Sequence, residues 1–281
     1  MNKKLLIFLL ILALGLSAWW VLSKDKSMGP VGEQSLSSSA GGKAEARESV
    51  QEMFENADSF IADRKLAEAK NVLQKIISDN PDFDKIEEVQ QKLEGVNMEI
   101  ILSNSASANN IIHQVEPGET LGKIASRYGT TVNLIKKKNN LKSDIIRAGQ
   151  KLSVWKGKFN LFVDKSQNTL MLKQEEEVVK IYNVSTGENN STPVGEFKIN
   201  SKLENPVWFT KGAVVPPESP ENVLGSRWLG FDTMPGYGIH GTIDPGSIGK
   251  QATAGCVRLK NSDVEELFDL IPMGTKVVVV D

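Results

Sequence analysis

The spacing of apolar positions changes four times along this chain. Leu5 to Leu22 is an almost unbroken apolar run without charge, bracketed by Lys3, Lys4, Lys24 and Lys26. As a helix it would extend roughly 27 Å, close to the ~30 Å of a hydrocarbon core. Between 46 and 103 the apolar residues return at three- and four-residue steps. Val50, Phe54, Ala57 and Ile61, then Leu66, Ala69, Leu73 and Ile76, then Ile86, Val89, Leu93 and Val96 predict three helices, with a stop at Asn80-Pro81. Residues 112–155 read as strand, helix, helix, strand, with turns at Pro117-Gly118 and Gly129 and a cap at Thr130-Thr131. From Phe159 the period drops to two: Phe159, Leu161, Val163, then Thr169, Met171, then Val179, Ile181. That predicts consecutive strands. One helix over 262–270, capped by Asn261 or Ser262, precedes a last buried strand in Lys276–Val280.

The pattern describes a multidomain chain. Residues 1–24 read as a transmembrane signal anchor and 25–45, rich in Ser, Gly, Lys and Glu, as a flexible linker. The segment 46–103 is helical, 112–155 is a small α+β (βααβ) unit, and 159–281 is a mainly β domain with a barrel- or sandwich-like core. Trp19, Trp20 and Val21 carry the apolar run past the small-x-small site Gly15-Leu16-Ser17, which favours an uncleaved anchor over a cleaved signal peptide. Cleavage would leave a secreted protein. Ala57-x-x-Phe60 through Leu66-x-x-Ala69 to Asn80-Pro81 resembles one tetratricopeptide-type hairpin. A single such unit is read as a helical spacer or self-association segment, and its protein partner is unknown.

Charge narrows the function classes. With 33 basic and 35 acidic residues, the chain has no global field to recruit nucleic acid. Its single cysteine excludes an intrachain disulfide, and in an oxidising envelope a lone thiol is either buried or used. Two histidines, far apart in sequence, offer no ligand cluster, so no metal or cofactor is expected.

That thiol, Cys256, lies in Thr253-Ala254-Gly255-Cys256-Val257-Arg258, downstream of Tyr237-Gly238-Ile239-His240-Gly241-Thr242. An imidazole that takes a thiol's proton makes it a nucleophile, so the pair Cys256 and His240 points to acyl transfer. Gly255 would let the backbone approach a tetrahedral oxygen, its amide and that of Cys256 forming an oxyanion hole. Arg258 is either a bidentate clamp for a substrate carboxylate or a structural salt bridge. Thr253 bonds either loop or substrate, and Tyr237 and Trp208 are candidate pocket walls or core aromatics.

Two resemblances gather these residues. Gly118-Glu119-Thr120-Leu121 with Ile124-Ala125, Asn139-Asn140-Leu141 and Ala148-Gly149-Gln150-Lys151-Leu152 resemble a LysM module. The resemblance implies binding to N-acetylglucosamine-containing glycans such as peptidoglycan. The groove would lie between Gly118, Glu119, Thr120 and Leu121 on one side and Ile145 and Ile146 on the other. Ser185-Thr186-Gly187, Thr192-Pro193-x-Gly195-x-Phe197, Asn205-Pro206-x-Trp208, Ile239-His240-Gly241-Thr242 and Thr253-x-Gly255-Cys256-Val257-Arg258 together resemble a YkuD-type L,D-transpeptidase catalytic domain. Ala254 departs from the polar or basic residue that many relatives carry there. The resemblance implies Cys256 as nucleophile through a thioester, His240 as base oriented by a carbonyl near Gly241, and a peptidoglycan stem tetrapeptide as donor. It further implies 3–3 cross-links in cell-wall biogenesis, with hydrolysis or exchange as alternatives. Carbapenem-type β-lactams are the implied inhibitors. The implied location is the cell envelope, with the membrane as partner of the N-terminal helix.

Overall fold

The computed structural model describes residues 41–105, 107–210 and 212–281. The apolar run 5–22 and linker residues 25–40 lie outside them. No described helix is long and apolar enough to cross a membrane. The chain divides into two compact units, one ending at Glu99 and one running Ile100–Asp281.

The first unit is helical. Helix α1 (Gly41–Ala62) begins inside the segment expected to be a tether. Lys43, Ala44, Glu45, Ala46 and Arg47 are all good helix formers, so polarity there does not prevent a helix. Helix α2 (Leu66–Asp79) and helix α3 (Ile86–Leu102) follow. The three- and four-residue steps mark the buried faces: Val50, Phe54 and Ala57 on α1, Leu66, Ala69, Leu73 and Ile76 on α2, Val89, Leu93 and Val96 on α3.

The second unit opens with the small βααβ body: β1 (Asn110–Gln114), α4 (Leu121–Tyr128), α5 (Val132–Lys138) and β2 (Lys151–Trp155). Strands β1 and β2 pair antiparallel, and Val115, Leu121, Ile124, Ala125, Ile135, Leu152 and Val154 form one core beneath the helices. Thr120 Oγ1 accepts from Lys123 N–H (3.2 Å) to start α4, and Thr131 Oγ1 accepts from Leu134 N–H (2.9 Å) to start α5.

Only residues 156–158 separate this body from the β domain, and Trp155 stacks on Phe159 with ring centroids 6.4 Å apart. Asp269 ties the two further. Its carboxylate takes Asn133 Nδ2 and Lys137 Nζ, each at 2.6 Å, and its carbonyl accepts the Thr131 hydroxyl.

The β domain is a single eight-stranded mixed sheet, ordered β13-β11-β10-β7-β14-β3-β4-β5. Its strands are β3 (Phe159–Asp164), β4 (Thr169–Gln174), β5 (Glu177–Asn183), β7 (Gly195–Glu204), β10 (Arg227–Phe231), β11 (Gly238–His240), β13 (Val257–Arg258) and β14 (Lys276–Val280). The last strand runs parallel to β3 and antiparallel to β7, which welds the early and late halves together. Phe159, Leu161 and Val163 on β3 and Val277 and Val279 on β14 supply the inward face that the period-two pattern predicts. Helix α6 (Asn261–Leu270) packs against β10 and β11, burying Val264, Leu267, Phe268 and Leu270.

The expected barrel or sandwich is thus one sheet curled upon itself. Ser185, just past β5, exchanges both backbone bonds with Arg258 of β13 (2.8 and 2.9 Å), joining the two edges. Two short ladders stand apart: β6 (Thr186–Gly187) with β12 (Gln251–Thr253), and β8 (Trp208–Thr210) with β9 (Ala213–Val215).

Candidate active site

Where the sheet edges meet, Thr253–Arg258 passes from β12 to β13. Gly255 makes the turn at φ 129°. A Cβ there would lie 2.5 Å from Tyr237 Cε1 and 3.2 Å from Ser191 O, so the position admits glycine alone. Gly187, the glycine of Ser185-Thr186-Gly187, lies as close: a Cβ on it would stand 2.9 Å from Gly255 Cα. Thr253 locks the turn from within. Its hydroxyl donates to Cys256 O (2.7 Å) and accepts from Gly255 N–H (3.1 Å). The Gly255 amide is therefore spent inside the loop, which corrects its expected place in an oxyanion hole. Thr253 is bonded to its own loop in the same way.

Parallel pairing of β11 with β13 sets Ile239 beside Val257 and His240 beside Arg258. That pairing puts His240 and Arg258 on one face of the sheet, with Cys256 in the bend that leads into β13. The half-buried Cys256 Sγ donates to Gly236 O at 3.5 Å rather than to the imidazole.

His240 is buried on β11, its ring stacked on Trp228 of β10 (centroids 6.1 Å, 19° between planes). Its Nδ1 lies 2.7 Å from Gly241 O. A carbonyl only accepts, so Nδ1 carries the proton and Nε2 is left as the basic nitrogen.

Burial disfavours charge on both groups. Burial pushes the His240 pKa down from 6.5 to about 4; the Gly241 and Leu224 carbonyls oppose that, and the Arg258 cation adds to it. Burial pushes the Cys256 thiol up, against the Gly238 amide and Arg258, which favour the thiolate. Both directions favour the uncharged form of each group over the ion pair. Attack on a carbonyl would have to move the thiol proton to Nε2 as the bond forms.

Arg258 reaches Ser247 Oγ through Nη1 (3.0 Å), and Ser247 O accepts from Ser185 Oγ (2.7 Å). Its Nε is buried without a partner, and among the described residues no carboxylate pairs with its guanidinium. The structural salt bridge is absent there, and a cationic donor remains beside the thiol. Tyr237 walls the loop against Gly255. Trp208 sits half-exposed on the β8–β9 hairpin, next to exposed Phe209. No cluster of metal-ligating side chains occurs among the described residues.

The candidate glycan-binding residues of the small body serve mixed purposes. Glu119 is a buried hub: Oε2 accepts from His113 Nε2 (2.8 Å) and Glu116 N–H (2.8 Å), and Oε1 lies 2.9 Å from Arg127 Nη2. The Glu116 amide first, and then His113, hold its carboxyl below the usual range. Thr120 is the α4 cap and Leu121 is core. Gly118 makes its turn at φ 77°, Ile146 packs against the core, and Ile145 stands 80% exposed.

Sequence reasoning missed Trp228, Ser247 and Asn261. The last was read as a helix cap, but α6 starts behind Lys260 with no side-chain cap bond. The Asn261 carboxamide instead accepts from Thr242 N–H (3.0 Å) and Ser226 N–H (3.2 Å). Nothing in the local pattern signals those partners.

Comparison with known proteins gives both segments family matches. Residues 158–279 match the L,D-transpeptidase catalytic domain and residues 113–155 the LysM domain, the LysM domain coming first. YqjB of Bacillus subtilis, named as an L,D-transpeptidase, is 40% identical over 126 residues, covering 43% of this chain and 70% of its own length. YkuD of Bacillus licheniformis, named likewise, is 33% identical over 175 residues, covering 59% of this chain and 97% of its own. Among solved structures, an L,D-transpeptidase from Mycobacterium smegmatis is similar at a TM-score of 0.37 and 22% identity, over 47% of this chain and 64% of that one.

Proposed function

The chain belongs to the L,D-transpeptidase family, and from that premise we propose a cysteine-dependent enzyme that acts on peptidoglycan stem peptides. Cys256 attacks the donor carbonyl and forms a thioester, passing its proton to His240 Nε2. The terminal D-amino acid of a tetrapeptide stem then leaves with a proton. The amine of a second stem resolves the thioester into a 3–3 cross-link. Arg258, a cation that acts on the Cys256 thiol, is suited to hold a substrate carboxylate. Gly241 orients His240 through its carbonyl, Gly255 shapes the loop, and Tyr237 and Trp208 remain candidates for the peptide-binding wall.

The LysM domain keeps the enzyme on the glycan strand, with Gly118 and Ile145 the best-placed of its candidate contacts and Ile146 beside them. An envelope location follows from this substrate, and the apolar run 5–22 supports a membrane anchor. The observation that carries the reading is His240 beside Arg258 on paired strands, with Cys256 in the bend entering the second strand and the imidazole proton held on Nδ1. Hydrolysis by water, giving an L,D-carboxypeptidase, is the alternative on the same groups; a non-catalytic wall anchor is the rival of another class.

Incubation with a defined disaccharide-tetrapeptide, followed by mass analysis, separates these. Cross-linked dimer, abolished in Cys256→Ala with the fold intact, supports transpeptidation; tripeptide alone supports hydrolysis. A carbapenem should add its mass to Cys256, and a wild-type protein that forms neither adduct nor product would return the anchor reading.

A further inference from the structure

We propose that Asn261 is a positioning residue for His240, holding both carbonyls that face the imidazole; this rests on the reading of His240 as the base. One of those carbonyls belongs to Gly241, which takes the Nδ1 proton at 2.7 Å. The other belongs to Leu224, whose backbone also favours the protonated ring. Each sits in a loop that Asn261 Oδ1 grips from the same point. The oxygen accepts from Thr242 N–H, directly after Gly241, at 3.0 Å, and from Ser226 N–H, two residues after Leu224, at 3.2 Å.

Two glycines make room for it. A Cβ on Gly241 would stand 2.1 Å from Asn261 Oδ1, and one on Gly225 would stand 2.3 Å from it. Any other residue at either place would evict the carboxamide or move its loop. The oxygen itself is anchored by a rigid element. Asn261 opens α6, whose Val264, Leu267 and Phe268 are buried against the sheet, and Leu259 N–H just before it bonds His240 O at 2.8 Å.

The arrangement is therefore closed: strand β11 carries the ring, two loops carry its acceptors, and one side-chain oxygen fixes both loops to α6. A helix-capping role would direct the carboxamide at amides of α6, and it does not point there. Because a neutral imidazole can place its proton on either nitrogen, the Gly241 carbonyl decides which nitrogen is free for Cys256. Loosening that carbonyl lets the tautomer mix and lets water reach the ring.

The test compares the full chain with Asn261→Ala and Asn261→Asp, each in wild-type and Cys256→Ala backgrounds, by nitrogen NMR of His240. The wild type is expected to hold the proton on Nδ1. Asn261→Ala is expected to show mixed tautomers, a displaced His240 titration, and carbapenem acylation of Cys256 slowed about tenfold or more. Asn261→Asp keeps an accepting oxygen, so it should restore the Nδ1 tautomer and recover most of the lost rate. A folded Asn261→Ala protein with the wild-type tautomer and titration overturns the proposal. So does an Asn261→Asp protein with mixed tautomers, and this comparison decides the matter if the alanine variant fails to fold. If the wild type itself is never acylated, the proposed function fails while the tautomer comparison still decides the role of Asn261.

Discussion

The chain's two histidines are both buried, yet their surroundings differ in one respect that separates structure from chemistry. In the LysM domain, His113 has a partner on each nitrogen: Tyr128 Oη at 3.1 Å on Nδ1 and Glu119 Oε2 at 2.8 Å on Nε2. Its ring also meets Tyr128 edge-on, at 5.6 Å. In the catalytic domain, His240 has Nδ1 bonded to Gly241 O and its face covered by Trp228, which leaves Nε2 as the unprotonated nitrogen of the neutral ring. Burial is common to both. What distinguishes His240 is a ring held by backbone carbonyls rather than by side chains, on the strand paired with Arg258.

Replacing each histidine tests that contrast most strongly. His240→Gln should slow carbapenem acylation of Cys256 by about a hundredfold or more, the scale of a lost general base. His113→Gln should leave acylation unchanged and lower stability by about 1–3 kcal/mol, through the disturbed Glu119 pairing. Equal acylation in the two variants, measured by intact mass over time, would erase the distinction.

Acid unfolding sharpens it. His240 has a folded pKa of about 4 against 6.5 for the free side chain, so between those values the unfolded chain binds the extra proton. The stability tied to its neutral form is fully present above about 6.5 and is lost as pH falls from there to about 4, amounting to at most about 3.4 kcal/mol. Denaturant titrations at several pH values should show this slope in the wild type and a flatter one in His240→Gln. An unchanged slope would mean the ring is hydrated.

The smallest effect concerns the LysM face. Ile145→Ser removes an exposed side chain, so co-sedimentation with purified peptidoglycan should weaken about two- to fivefold at unchanged melting temperature. Glu119→Gln should instead lower the melting temperature, since that carboxylate bonds inward. Reversal of the two outcomes would move the glycan site to Glu119.

Much of the fold was legible because burial repeats. Leu66, Ala69, Leu73 and Ile76 mark a helix face, and Phe159, Leu161 and Val163 a strand face, whichever neighbours cover them. The barrel expectation reached the right composition of strands, but the closure depends on Ser185 meeting Arg258 across more than seventy residues of chain. No local pattern encodes that pairing. The tether expectation stopped short at Gly41 because solvated polarity and helix propensity are separate properties.

Within the site, the motif residues divided in a way their order could not foretell. Cys256 and His240 were identifiable because the chain has one thiol and two imidazoles, and glycine beside them signals tight backbone. Thr253 and Gly255, by contrast, turned out to bond each other, so a motif position is as often spent on holding the loop as on the reaction.

Sequence by itself determined the helical and strand periods, the two family resemblances and the identity of the only possible thiol nucleophile. Those follow from residue type and spacing, which are local. Tertiary structure alone decided which nitrogen of His240 carries the proton, that burial disfavours charge on the thiol and the imidazole, that Glu119 faces inward, and that Asn261 grips two distant loops. Each of these depends on burial and on partners brought close by the curled sheet, and desolvation and hydrogen bonding act only between groups that folding has placed side by side.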